Sequence, residues 1–97
     1  MGKIKITLED LFNLNGSVIY NPDTYKPLSY VEIDSRKINK PCLFVAIKGE
    51  KFDGHDFIYD AIDKGAKAVI INRRKLEKFN SLNIPFVTVP DTIKAYG

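Results

Sequence analysis

Five apolar residues in a row, Leu43-Phe44-Val45-Ala46-Ile47, leave the chain few options. A strand with one wet face alternates apolar and polar side chains, whereas an unbroken run of this length suits a strand covered on both faces, as in a parallel sheet. The run leads through a glycine-containing loop to Phe57, Ile58, Ala61 and Ile62, which recur at helical spacing. Asp53 and Asp56 near the start, Lys64 near the end and Gly65 beyond complement the helix dipole and supply an exit, so a helix over 53–64 is predicted. Ala68-Val69-Ile70-Ile71 and Phe86-Val87-Thr88-Val89 read as two more buried strands, with a short helix over Arg74 to Phe79 between them. Strand, helix, strand, helix, strand with short connections is the pattern of right-handed crossovers on a parallel sheet.

The N-terminal part has a different grammar. Thr7 can cap a helix reaching Leu14, and Asn15-Gly16 supplies a left-handed exit. Val18-Ile19-Tyr20 and Tyr30-Val31-Glu32-Ile33 read as short strands joined by a connection carrying Pro22 and Pro27, and are predicted to form a small hairpin or edge pair. Asp91 reads as the cap of a last helix. The expected fold is therefore α/β: a small three-layer domain with a mostly parallel sheet and a short N-terminal hairpin or edge pair, occupying residues 1–97 as one domain. A helix begun at Asp91 reaches Gly97 after barely one turn, so a longer parent protein is expected.

Composition excludes several function classes. No apolar run approaches the roughly 20 residues of a membrane-spanning helix, and Met1-Gly2-Lys3-Ile4-Lys5 lacks the apolar centre of a signal peptide. A cytoplasmic protein without membrane insertion is expected. Gly2 would suit myristoylation, but Ile6 stands where Ser or Thr is required. A single Cys42 and a single His55 supply neither an internal disulfide nor a Cys/His zinc set. Fifteen Lys and Arg against twelve Asp and Glu leave +3, which permits an anionic ligand but falls short of a nucleic-acid footprint. No Ser-His-Asp or Cys-His arrangement stands out.

Chemistry concentrates in Gly49-Glu50-Lys51-Phe52-Asp53-Gly54-His55-Asp56, between a buried strand and a helix, where ligands of open α/β sheets gather. Gly49 and Gly54 have P-loop spacing, but His55-Asp56 replaces the Lys-Ser/Thr pair, which removes the phosphate cation and the magnesium hydroxyl. Looser binding of a diphosphate by backbone amides, a helix N-terminus and the cations Arg36, Lys48 and Lys51 remains open, with Glu50, Asp53 and Asp56 opposing it. On the residues alone the better reading is a plain turn made by the glycines, with Asp53 or Asp56 as a helix cap. Asp34-Ser35-Arg36 has the same two readings: a hydroxyl and a guanidinium for a pyrophosphate or ribose, or the commoner turn with a surface ion pair. His55 is expected to be a structural hydrogen-bonder, Cys42 a small buried hydrophobe, and Arg73-Arg74-Lys75 with Lys78 a solvated face.

Asp34-Ser35-Arg36-Lys37-Ile38, the stretch from Leu43 through Phe57, and Ala61-Ile62-Asp63-Lys64-Gly65-Ala66, in that order and spacing, closely resemble the first domain of the Mur ligases. The resemblance runs from about Thr7 to Gly97, and Pro90 to Gly97 is similar to the passage leading toward the family's ATP-binding middle domain. Lys48-Gly49-Glu50-Lys51-Phe52-Asp53-Gly54-His55 looks most like the member that joins D-alanyl-D-alanine to UDP-N-acetylmuramoyl-tripeptide. The sibling that adds the third amino acid shares Asp-Ser-Arg and Asp-Gly-His.

The resemblance implies an ATP-dependent, amide-forming ligase of peptidoglycan synthesis whose first domain holds the uridine diphosphate end of a UDP-N-acetylmuramoyl-peptide. ATP and Mg2+ would sit in the middle domain, and the incoming peptide would meet the third. Carried over by position, Ser35 lies against the uridine diphosphate, Glu50-Lys51-Phe52 line the uracil or ribose side, and Ile33 contacts the base. Arg36, Lys48, Gly49 and the helix start at Asp53-Gly54-His55 either touch the ligand or shape its loop. The resemblance places no catalytic group, metal ligand or cofactor in residues 1–97, so this chain alone is expected to be inactive. Pro41-Cys42 departs from the Gly-Asp common in the family and puts the local turn geometry in question. Outside the ligases, the same scaffold would suit a free-standing binding module or a small nucleotide-binding regulator.

Overall fold

The computed structural model describes residues 5–96. The segment Met1 to Ile4, read above for a signal peptide or lipid anchor, and Gly97 lie outside the described residues. Thr7 opens α1 (Leu8–Phe12) with a reciprocal cap: its Oγ1 accepts from the Asp10 N–H at 3.2 Å, and its own N–H donates to the Asp10 carboxylate at 2.8 Å. The helix ends before the predicted Leu14, and Gly16 makes the left-handed turn at φ +70°.

β1 (Val18–Tyr20), β2 (Val31–Glu32), β3 (Cys42–Val45), β4 (Ala66–Asn72) and β5 (Phe86–Val89) form one five-stranded sheet in the order β1-β5-β4-β3-β2. β2, β3, β4 and β5 run parallel, with Val31 opposite Leu43, Leu43 opposite Ala68 and Val69 opposite Phe86. β1 alone is antiparallel, with Ile19 opposite Val87.

This arrangement corrects the hairpin reading. β1 and β2 are both edge strands, but they sit on opposite edges and do not pair with each other. The cause lies in the connection between them. Asn21 takes a left-handed conformation at φ 56°, and its side-chain amide donates to the carbonyls of Leu82 and Ile84 at 2.8 and 3.1 Å. β1 is thereby pinned beside β5, and the chain must cross the domain before β2 can pair with β3.

Alternation along the strands fills two layers. Phe44, Val69, Ile71 and Phe86 point to the side covered by α2 (Ile58–Lys64) and α3 (Leu76–Phe79), where they pack with Ile58, Ala61 and Phe79. Leu43, Val45, Ala68, Ile70, Val87 and Val89 point to the other side and pack with Leu11 of α1 and Ala95 of α4 (Thr92–Tyr96). Each fully buried large side chain contributes about 1.5–3 kcal/mol of transfer free energy. The predicted helix over 53–64 begins instead as a tight 3-10 turn, Gly54–Phe57, and becomes α-helical only at Ile58. Asp91 caps α4 as expected, accepting from the N–H groups of Ile93 and Lys94. Among the described residues, no helix is long and apolar enough to cross a membrane.

Candidate functional site

Two connections meet at the carboxyl ends of β2 and β3. The first follows β2: the Glu32 carboxylate accepts from the N–H groups of Ile33 and Asp34 at 3.0 and 3.1 Å and turns the chain outward. Asp34 then accepts from the backbone N–H of Arg36 at 3.0 Å, and from its Nε and a terminal nitrogen at 3.0 and 2.9 Å. The Arg36 guanidinium, seconded by that backbone N–H, holds the Asp34 carboxyl at about 2, well below the usual carboxylate range. The turn-with-ion-pair reading is therefore right for Asp34 and Arg36, and Arg36 reaches the site as half of a pair. Ser35, held between them in the turn Ser35–Lys37, is only 5% exposed.

The second connection follows β3. Lys48 and Asp53 pair as an isolated antiparallel bridge, and the Gly49 N–H donates to the Phe52 carbonyl at 2.7 Å, closing a tight loop. The Gly54 N–H donates to the Ile47 carbonyl at 2.8 Å. A Cβ on Gly54 would stand 2.8 Å from the Ile47 nitrogen and 3.0 Å from the Ala46 Cα, so only glycine fits this approach. The loop thrusts Phe52 outward, where it is 70% exposed and meets Phe57 edge-on at 6.3 Å between ring centres.

Between the two connections lies an open cleft of about 380 Å³. Ile33, Asp34, Ser35 and Arg36 form one wall, Ile47, Phe52, Gly54 and Phe57 the other, and Phe44 reaches it from β3. Mostly apolar walls with a few convergent polar groups, at the ends of parallel strands, suit a small organic ligand with a polar tail. Of the residues carried over from the resemblance, the structure gathers Ile33, Ser35, Arg36, Phe52 and Gly54 here. Lys48, Gly49, Glu50 and Lys51 do not line the cleft; they are exposed in the loop that carries Phe52.

Three cleft residues, Phe44, Ile47 and Phe57, were not singled out from the sequence as site residues. Their signal was position, at the end of the apolar run and just after the loop. His55 is the structural hydrogen-bonder expected: its Nδ1 lies 2.7 Å from Asp53, and its Nε2 accepts the Asn72 N–H at 3.0 Å. Burial lowers its pKa and outweighs the neighbouring Asp53. Burial acts to raise the Asp53 carboxyl, but hydrogen bonds from the His55 backbone and ring, with the charges of His55 and Lys75, leave it below its ordinary value. Cys42 is buried, and burial followed by the charge of Glu32 pushes its thiol up, away from reactivity. In the basic segment, Arg73 donates to the Gly16 carbonyl, and Lys75 and Lys78 pair with Asp53 and Asp56.

Comparison with known proteins decides the family. The profile described as "Mur ligase family, catalytic domain" matches residues 27–95. The chain belongs to the Mur ligase family. Among Mur ligases it is 36% identical over 94 residues to UDP-N-acetylmuramoyl-tripeptide--D-alanyl-D-alanine ligase of Escherichia coli, covering 97% of this chain and 19% of that one. It is 38% identical over 85 residues to UDP-N-acetylmuramoyl-L-alanyl-D-glutamate--2,6-diaminopimelate ligase of Aquifex aeolicus, covering 86% of this chain and 17% of that one. The chain thus spans less than a fifth of the length of these curated Mur ligases. A crystal structure of MurF from Acinetobacter baumannii shares the fold with a TM-score of 0.78 at 23% identity, over 96% of this chain and 20% of that one. MurF ligase from Thermotoga maritima, solved in complex with ADP, matches with a TM-score of 0.54 at 34% identity, over 67% of this chain and 14% of that one. Relatives of both kinds are present, so the family is fixed by these matches and the residue added is not.

Proposed function

We propose that this chain grips the uridine diphosphate end of a UDP-N-acetylmuramoyl-peptide, as one domain of a longer, cytoplasmic, ATP-dependent ligase that adds D-alanyl-D-alanine in peptidoglycan synthesis. The observation that carries this reading is the cleft: a buried residue, Ser35, and an exposed aromatic, Phe52, both line a space the size of a small ligand. An aromatic face and Ile33 suit a pyrimidine base, while Ser35 and the Arg36 side suit ribose or pyrophosphate oxygens. Lys51 and Glu50, one and two loop positions before Phe52, would act on the ligand's exposed edge.

ATP and Mg2+ are assigned in this reading to another part of the longer protein, since His55-Asp56 stands where a P-loop needs its Lys and hydroxyl. The contribution of this domain is positional: binding energy from the nonreacting nucleotide end orients a distant carboxylate for amide formation.

Titrating the labelled chain with UDP and following amide signals tests the reading. Saturable shifts centred on Ile33, Ser35 and Phe52 are expected, and shifts confined to other parts of the surface would refute it. The Aquifex aeolicus relative favours a second reading, in which the longer protein adds the third amino acid of the precursor. Which amine the intact ligase consumes separates the two.

A further inference from the structure

Behind the cleft runs a line of hydrogen bonds that binding alone does not require. Asp53 Oδ1 accepts from the His55 backbone N–H at 3.0 Å and lies 2.7 Å from His55 Nδ1. His55 Nε2 accepts from the Asn72 N–H at 3.0 Å, and Asn72 Oδ1 accepts from the Thr92 N–H at 2.9 Å. His55, Asn72 and Thr92 are 2%, 7% and 1% exposed, so water cannot readily replace a broken link. Asp53 closes the loop that carries Phe52, and Thr92 opens α4.

We propose that His55 is a positioning residue, holding the loop of residues 48–53 and the start of α4 in one fixed relation through the bonded series Asp53, His55, Asn72, Thr92. The ligand side of this proposal rests on the nucleotide reading above; the mechanical link does not. An Nε2 that accepts a hydrogen bond carries no proton, so the neutral ring holds its proton on Nδ1 and donates it to Asp53. Geometry therefore sets the tautomer.

A second proton on Nε2 would set two donors against each other at 3.0 Å and break the series at its midpoint. The surroundings oppose that proton on balance. Asp53 on the same turn favours a cation, while burial and the charges of Lys75 and Arg74, from the turn after β4, disfavour it. From α3, Phe79 presents its ring 6.4 Å away and adds no charge.

Amide hydrogen exchange on the whole chain tests the link. Asp53→Ala should speed exchange at Thr92 about tenfold beyond any change at Val87 of β5, the equivalent of one lost buried hydrogen bond. Asp53→Asn, which can still accept from Nδ1, should restore it. A purely local cap would alter residues 54–56 and leave Thr92 tracking Val87 in both variants, which would overturn the proposal.

If Asp53→Ala does not fold, the unaltered chain decides through an acid titration. The amides of Thr92 and Phe52 should then shift with the same midpoint as the His55 ring. A Thr92 signal that stays flat, or a collapse of every amide at that midpoint, would overturn it as well, since neither leaves His55 a private route to α4. Neither arm uses nucleotide, so a failure of UDP to bind would remove the nucleotide reading and leave this result standing.

Discussion

Replacing Gly54 with alanine should be the costliest single-methyl change in the loop. The added Cβ meets the Ile47 nitrogen at 2.8 Å, the Ala46 Cα at 3.0 Å and the Ile47 carbonyl oxygen at 3.2 Å, all of them backbone. That backbone cannot easily yield, because Ala46 donates to the Ile70 carbonyl at 2.9 Å and Val45 pairs with Ile70 across β3 and β4. Overpacking of this kind costs about 1–3 kcal/mol, and loosening the hydrogen bond from Gly54 to Ile47 costs about 1 more. Reduced freedom of the unfolded chain returns about 0.4–1 kcal/mol. The net loss is about 1–3.5 kcal/mol, from a total of about 5–15 for a domain of this kind. With a urea dependence of about 1.5 kcal/mol per molar, the unfolding midpoint followed by circular dichroism should fall by roughly 0.7–2.3 M. Gly49→Ala is the control: its nearest neighbour, the Phe52 carbonyl oxygen, is 3.5 Å away, so stability should stay within about 0.5 kcal/mol. Equal midpoints for Gly54→Ala and the unaltered chain, or an equal loss in Gly49→Ala, would show that the loop is not clamped as described.

Phe52→Ala and Ser35→Ala should each weaken UDP binding in calorimetry, and Phe52→Ala, at a 70% exposed site, should leave the urea midpoint nearly unchanged. Lys51→Glu should weaken binding through charge while the fold persists. Because burial lowers the folded pKa of His55, the unfolded chain takes up its proton first as pH falls; stability from this group is full above about pH 6.5 and declines from there toward the folded value. Urea midpoints measured across that window should show this slope, and His55→Gln should remove its contribution. Arg36→Ala should return the Asp34 carboxyl from about 2 toward the ordinary aspartate value in a carboxyl NMR titration.

The central sheet was legible because burial on both faces leaves an unbroken apolar signature, and β3, β4 and β5 carry it. The partners of β1 and β2 were not. Strands of three and two residues carry too little pattern to name a partner, and the choice was made by Asn21 holding carbonyls more than sixty residues away. Caps read well at Thr7 and Asp91, where a short side chain bonds amides two or three residues on. At Asp34-Ser35-Arg36 the turn with its ion pair forms, and it carries Ser35 to the cleft. The series through Asn72 and Thr92 had only a faint trace, a polar residue closing the run Val69-Ile70-Ile71 and another opening a helix.

Contacts between the uracil protons of bound UDP and individual side chains test the central claim most directly. Intermolecular nuclear Overhauser effects to the Phe52 ring and the Ile33 methyl groups are expected. Effects instead to Leu14 and Ala95, which line a separate hollow beside α1 and α4, would contradict it.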